Sequence, residues 1–261
     1  MAYALTTPDT VSVARPEIRR IGLPDLRAAL AEGYGDFTAI PTQLVFLCLL
    51  YPVIGMVAAR AATNDLLPLL FPLLTGLSLM GPVLAVGIYE LSRRREAGLS
   101  VSWLNAFDVL RSPAIFSIVL MGTLLLVAFG LWVGLARAIW LATVGPAVPD
   151  GLGALAGLVL HTGGGHRLIV LGNLAGLGFA IVVMTISVVS IPMLLDRNCS
   201  PVLAIQTSVR AVMRNPVPMA VWGLAVAALL VLGSIPVFVG LAMVMPVLGH
   251  ATWHLYRRLV G

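Results

Sequence analysis

The chain has no lysine, two cysteines and little charge of either sign: its 16 basic residues are all arginine, and with 11 acidic ones they make up 10% of the 261 residues. A water-soluble domain carries roughly 25% charged residues, so this scarcity, with 59% apolar content and a mean hydropathy of +1.01, excludes a soluble enzyme. Cys48 lies in an apolar stretch and Cys199 beside Asp196 and Arg197, which places the thiols at different membrane depths and argues against a disulfide. Phosphate loops, cysteine pairs at metal spacing, nucleophile elbows and His-Glu-x-x-His helices are all missing, so no catalytic, cofactor or metal residues are expected and the chain reads as a non-enzyme. The arginines stand at the edges of apolar stretches, a pattern that gives nucleic acid binding no support.

What is present is membrane-length apolar sequence. A bilayer core of ~30 Å takes about 20 helical residues to cross. From Asn215 to Tyr256 there are 42 residues without a charge, roughly 63 Å as a single helix, so the stretch predicts two crossings with a break at Gly233, Ser234 and Pro236. The same reasoning predicts six spans, at about 41–62, 68–91, 113–137, 168–195, 216–234 and 236–256. Residues 150–161 are too short to cross and read as an outer-surface or re-entrant helix. Residues 1–17, which offer no apolar core for a secretory signal, read as a flexible cytoplasmic arm, and 18–261 as a single transmembrane domain. On this map 13 arginines fall on one side and three, Arg60, Arg137 and Arg167, on the other, the bias expected when both termini are cytoplasmic.

The cytoplasmic segments share a plan: an amphipathic helix, a Pro, then a span. Such helices are predicted at about 23–38, 100–111 and 201–214. Their apolar rows are Leu23, Leu26, Leu30 and Phe37; Trp103, Leu104, Phe107 and Leu110; and Val202, Ile205, Val209, Val212 and Met213. The exits Arg111-Ser112-Pro113 and Arg214-Asn215-Pro216 are alike, as are the spacings from Pro82 to Arg93 and Arg94 and from Pro246 to Arg257 and Arg258. The expected fold is therefore all-α and polytopic: a parallel threefold repeat of amphipathic helix plus transmembrane hairpin, with the helices forming a belt in the headgroup zone.

The run Pro246-Val-Leu-Gly-His250-Ala-Thr-Trp253-His254-Leu-Tyr256-Arg257, with Asn215-Pro216 and Trp222-Gly223 upstream, resembles the bacterial integral membrane proteins grouped as domain of unknown function 2189, over a length from about Ile18 to the end. The resemblance implies a multi-span inner-membrane protein of a family common in proteobacteria and without an established activity. Some family members carry cytochrome oxidase subunit labels; a haem-copper catalytic subunit needs more crossings and more ligands than a chain with four His can offer.

Candidate residues each admit a bland reading. His250 and His254, one helical turn apart, could hold a metal or sense protons, but beside Trp253 and Tyr256 interfacial anchoring is the favoured role. Glu90 and Asn173 are the candidate intramembrane polar contacts. Glu90 is within i, i+3 and i, i+4 reach of Arg93 and Arg94, and Asn173 suits an interhelical hydrogen bond better than a substrate contact. Gly172, Gly176 and Ala180 form a small-residue row, and His161 with Gly163–Gly165 and His166 reads as a flexible turn ahead of a metal site. Arg93, Arg94, Arg95, Arg210, Arg214, Arg257 and Arg258 are the expected lipid headgroup contacts. The expected partners are thus the bilayer and its anionic headgroups, with a membrane-protein partner or a homo-oligomer left open. Three function classes remain: an accessory or scaffold component, a small-solute or lipid transporter using the bundle interior, and, last, a membrane enzyme.

Overall fold

The computed structural model describes residues 16–40, 42, 53, 55, 56, 66–236 and 238–261. Leu23–Ala39 (α1) starts at Gly22, whose amide donates to Asp25 Oδ2 at 2.7 Å, with Pro24 in the first turn. Pro in that turn forfeits no helical bond, and the helix stops ahead of Pro41, which disfavours helical backbone before it.

Leu67–Glu96 is one candidate span built of pieces: a 3-10 turn Leu67–Leu69, Leu70–Leu77 (α2), a second 3-10 turn Ser78–Met80, Gly81–Leu84 (α3) and Val86–Glu96 (α4). Pro72 and Pro82 supply the reason, since each removes an N–H from the i→i−4 ladder, whereas Pro68 stands in the first turn, where none is lost. The Pro72 carbonyl accepts from Trp132 Nε1 at 2.9 Å.

Trp103–Arg111 is a 3-10 helix, where α-helical period was expected over 100–111. The sequence explains it: Ser102, Asn105, Asp108 and Arg111 recur every third residue, and i, i+3 side chains eclipse in a 3-10 helix. Asn105 Oδ1 accepts from the Ser102 amide at 2.9 Å and its Nδ2 donates to Asp108 Oδ2 at 2.8 Å, which secures that edge.

Ile115–Thr143 (α5) follows, then Leu152–His161 (α6), Gly163–Ser187 (α7), Ser190–Arg197 (α8), Pro201–Arg214 (α9), Pro216–Ser234 (α10) and Leu241–Leu259 (α11). Four stretches are long and apolar enough to cross a membrane: Leu67–Glu96, Ile115–Thr143, Gly163–Arg197 and Pro216–Ser234. Two of the six expected spans are not among them. Residues 41–62 lie, apart from a few single positions, outside the described residues. α11 has the length of a span but carries His250, His254, Arg257 and Arg258 in its second half, which lowers its hydropathy. The chain is an all-helical membrane protein with four candidate spans among the described residues.

Large apolar side chains such as Phe116, Leu131, Leu174 and Leu224 are exposed along the spans, as a lipid-facing surface requires and a water-facing one does not tolerate. Where the spans meet, Met121, Leu125, Trp132, Met193, Met219 and Trp222 fill the core. The two ends of the described chain pair: Ile18 and Val260 form an antiparallel bridge, flanked by Arg19 N to Leu259 O at 2.8 Å and Gly261 N to Glu17 O at 3.1 Å. Pro16 and Glu17, expected within the flexible arm, thus adjoin an anchored segment; residues 1–15 lie outside the described residues.

The apolar rows of the amphipathic helices part ways. In α1, Leu26 and Phe37 are buried in the protein, whereas Trp103, Leu104, Phe107 and Leu110 remain exposed. α9 turns its small face, Ala204, Thr207, Ser208 and Ala211, inward, leaving Val202 and Met213 exposed.

Candidate functional site

The described polar side chains converge on the second half of α11. Residues three and four apart share a helix face, so His250, His254 and Arg258 form one row, facing α1, while Trp253 and Arg257 form another, facing the ends of α4 and α8. The approach of α1 is close because Gly33 lies against the Ala251 backbone, where a Cβ would come within 2.5 Å of the Ala251 amide nitrogen.

The first row meets a buried carboxylate. Asp36 Oδ2 accepts from Ser92 Oγ at 2.7 Å and lies 2.9 Å from His254 Nε2, while Asp36 Oδ1 accepts from Arg95 at 3.0 Å. Ser92 Oγ also lies 2.6 Å from His250 Nδ1. Having given its proton to the carboxylate, the serine must accept, so His250 carries its proton on Nδ1. His250 Nε2 is then a bare lone pair; it is enclosed and has no hydrogen-bond partner among the described residues. Burial, chiefly, lowers the His250 pKa to about 4, against the opposing pull of Asp36, so the ring is neutral at pH 7. For Asp36, burial works against ionisation, but hydrogen bonds from His254 and Ser92 outweigh it and hold its pKa below the usual carboxylate value. Glu32, one turn earlier on α1, accepts from Arg258 at 2.7 and 2.8 Å and lies 3.2 Å from His254 Nδ1. The Arg258 hydrogen bond is the main reason its pKa is also lowered.

The second row ties α11 to α4 and α8. Trp253 Nε1 donates to Glu96 Oε2 at 3.0 Å, Arg257 bridges Glu96 at 2.9 Å and Asp196 at 3.3 Å, and Tyr256 O–H donates to Asp196 at 2.6 Å. Burial and the Asp196 hydrogen bond push the Tyr256 phenol up, so it stays a donor. Glu90 lies apart from this row: it is buried and accepts from Arg93 at 2.8 and 3.0 Å and Arg94 at 3.1 Å, and Arg94 continues to Asp108 at 3.1 Å.

The remaining expected residues fall elsewhere. Asn173 is exposed and its amide donates to Ile169 O of its own helix at 2.7 Å, an i−4 bond that needs no second helix. Of the small-residue row only Gly176 meets another helix, with Trp132 at 3.3 Å from its would-be Cβ; Gly172 faces open space and Ala180 is exposed. His166 is exposed and its Nε2 lies 2.9 Å from Leu160 O. Arg93, Arg94, Arg95, Arg257 and Arg258 each hold a carboxylate, whereas Arg210 and Arg214 hold none among the described residues. Sequence reasoning missed Glu32, Asp36, Ser92, Glu96 and Asp196 as partners of the last helix.

Chemically the hub resembles a Ser-His-Asp set, but its wiring differs. The serine donates to the carboxylate, and the His250–Asp36 separation is 3.7 Å. Ser92 and His250 have no exposed surface at all, which leaves a substrate no approach. Among the described residues no group of three or more His, Cys, Asp or Glu is placed to hold a metal ion.

No curated protein and no solved structure matches the chain. A family model described as "Predicted integral membrane protein (DUF2189)" matches residues 70–196, which takes in Ser92, Arg95, Glu96 and Asp196 on the receiving side of the hub but not α11. Residues 70–196, with three of the four candidate spans, are thus similar to the DUF2189 family of predicted integral membrane proteins.

Proposed function

We propose that the chain is a non-catalytic accessory or scaffold component of a bacterial inner-membrane complex, with both ends at the cytoplasmic face. The observation that carries this reading is the commitment of the hub. Its serine, histidines and carboxylates are spent on fastening α1, α4, α8 and α11 to one another, with Ser92 and His250 enclosed. Such a network makes a rigid platform where three apolar hairpins return to the arginine-rich side, and rigidity suits a part that other chains are built upon.

The bridge between Ile18 and Val260 supports an even number of crossings, because the paired ends lie on one side. Six crossings follow if residues 41–62 form the first and residues 236–256 the last, the hub lying at its cytoplasmic end. The matching exits at Pro113 and Pro216, each opening a candidate span, support the parallel repeat.

Transport requires a path between the spans. Two clefts among the described residues open in the polar layer, beside Arg111 and Arg214. Purification in mild detergent tests the scaffold reading: a membrane-protein partner at fixed stoichiometry is expected. A lone monodisperse chain, or solute flux in proteoliposomes containing this chain alone, overturns it. Reporter fusions after Gly261 and within residues 147–165 should report opposite sides.

A further inference from the structure

Two clefts flank the repeat-related exits into α5 and α10. The first, about 520 Å³, is lined by Pro16, Glu17, Ile18, Arg210, Met213 and Arg214. The second, about 380 Å³, is lined by Arg93, Arg94, Arg111, Ser112 and Pro113 together with Glu90, Asp108 and Asp196. In each, the arginine of the exit tripeptide, Arg111 or Arg214, is exposed and holds no carboxylate among the described residues, whereas Arg93 and Arg94 are bound to Glu90. The acidic side chains leave both clefts near neutrality, so a ligand anion there would be held by the local charge of the arginines that hold no carboxylate and not by bulk charge.

The surroundings of these two arginines match. Leu110 and Phe116 bracket Arg111 at 68% and 76% exposure, and Met213 and Val217 bracket Arg214 at 73% and 68%. From each arginine an apolar track runs on down the span: Phe116, Val119 and Leu120 on α5, and Val217, Val221 and Leu224 on α10, all exposed. A cation at the head of an exposed apolar track, at the start of a candidate span, has the polarity profile of a phospholipid, phosphate above and acyl chain below.

We propose that Arg111 and Arg214 head two equivalent phospholipid sites, each binding the lipid phosphate in its cleft while an acyl chain lies along α5 or α10. The proposal rests on the reading that the arginine-rich side faces a leaflet. A free phosphate could answer the guanidinium alone, but the apolar tracks assign the site to a lipid. Five arginines of the expected headgroup set are spent on carboxylates, so the sites are discrete and not a continuous basic belt.

The test is native mass spectrometry of the full chain released from detergent micelles containing phosphatidylglycerol. Wild type should retain two more lipids than Arg111→Ala/Arg214→Ala, and each single Ala variant one fewer than wild type. Retention at the altered site should weaken about fivefold, the equivalent of the ~1 kcal/mol expected of one arginine at a lipid surface. Arg→Lys variants should keep most of the binding, since phosphate accepts a point charge. Unchanged melting of the Ala variants shows that the fold is kept. Equal lipid retention by wild type and the double variant overturns the proposal, as does displacement of the lipid by millimolar inorganic phosphate. Neither result bears on whether a protein partner co-purifies, so the scaffold reading stands or falls separately.

Discussion

Gly33 and Ala251 bring α1 and α11 into backbone contact: a Cβ on Gly33 would lie 2.5 Å from the Ala251 amide nitrogen and 2.7 Å from its Cα. Neither backbone is a flexible side-chain tip that could yield, so Gly33→Ala should force the helices apart and destabilise the protein by about 1–3 kcal/mol. Gly35, two residues on, faces open space. Gly35→Ala should raise stability by up to about 1 kcal/mol through helix propensity. Thermal melts in one detergent compare the two, and equal melting temperatures would refute the close approach.

Asp36 and Ser92 act as a unit, and their substitutions should not add. Asp36→Asn strips the anion from Arg95, His254 and Ser92, at an expected cost of about 2–4 kcal/mol. Ser92→Ala leaves the His250 Nδ1 proton without its acceptor and should cost about 1–3 kcal/mol. In the double variant the Ser92–Asp36 hydrogen bond is lost once and not counted twice, so the total should fall short of the sum by about 1 kcal/mol. Denaturant melts of the four proteins measure that shortfall; strict additivity would refute the coupling of Asp36 and Ser92.

The apolar stretches, the turn at Gly233–Pro236 and the helix from Pro201 were legible because Pro, Gly and charge mark boundaries locally. The partners of α11 were not, since Asp36 and His254 are 218 residues apart. A signal did exist. Glu32 and Asp36 on α1 share a spacing of four with His250, His254 and Arg258 on α11, so two antiparallel helices can match carboxylates to cations turn by turn. Each row taken singly looked like a solvated face. The 3-10 helix was misread for a different reason: apolar Leu104, Phe107 and Leu110 fit a helical stripe, and the strict period of three in Ser102, Asn105, Asp108 and Arg111 carried the better information.

Stability should fall as the medium is acidified from pH 6.5. His250 takes up its proton near pH 6.5 when unfolded but only near pH 4 in place, so between those values the unfolded chain binds more protons and folding weakens. The loss approaches roughly 3 kcal/mol by pH 4, at about 1.4 kcal/mol per unit. Asp36 and Glu32 have folded pKa values below the unfolded ones, so their contribution is present at neutral pH and disappears as pH falls through those lowered values. Melting temperature against pH should therefore decline in two stages, and His250→Asn should flatten the upper one. A profile level from pH 6.5 to 4 would contradict a buried neutral His250.

Asn215 fastens the N-terminal segment to the α9–α10 exit. Its Oδ1 accepts from the Ile21 amide at 2.9 Å, and its Nδ2 donates to Arg19 O at 3.1 Å and to Ala211 O at 3.1 Å. The side chain is buried and serves the segment much as a neighbouring strand would, extending the pairing of Ile18 with Val260. Asn215→Ala removes both anchors and leaves the Ile21 amide dependent on water, so residues 16–22 should open locally while the spans stay folded. Tryptic cleavage after Arg19 and Arg20 should quicken about tenfold for a local loss of ~1.4 kcal/mol, because cleavage tracks the open population when reclosing is fast. Asn215→Asp keeps an acceptor for Ile21 but sets a carboxylate against the Arg19 carbonyl, and should cleave at least as fast as the Ala variant. Cleavage at the wild-type rate in both would show that the bridge to Val260 alone holds the segment.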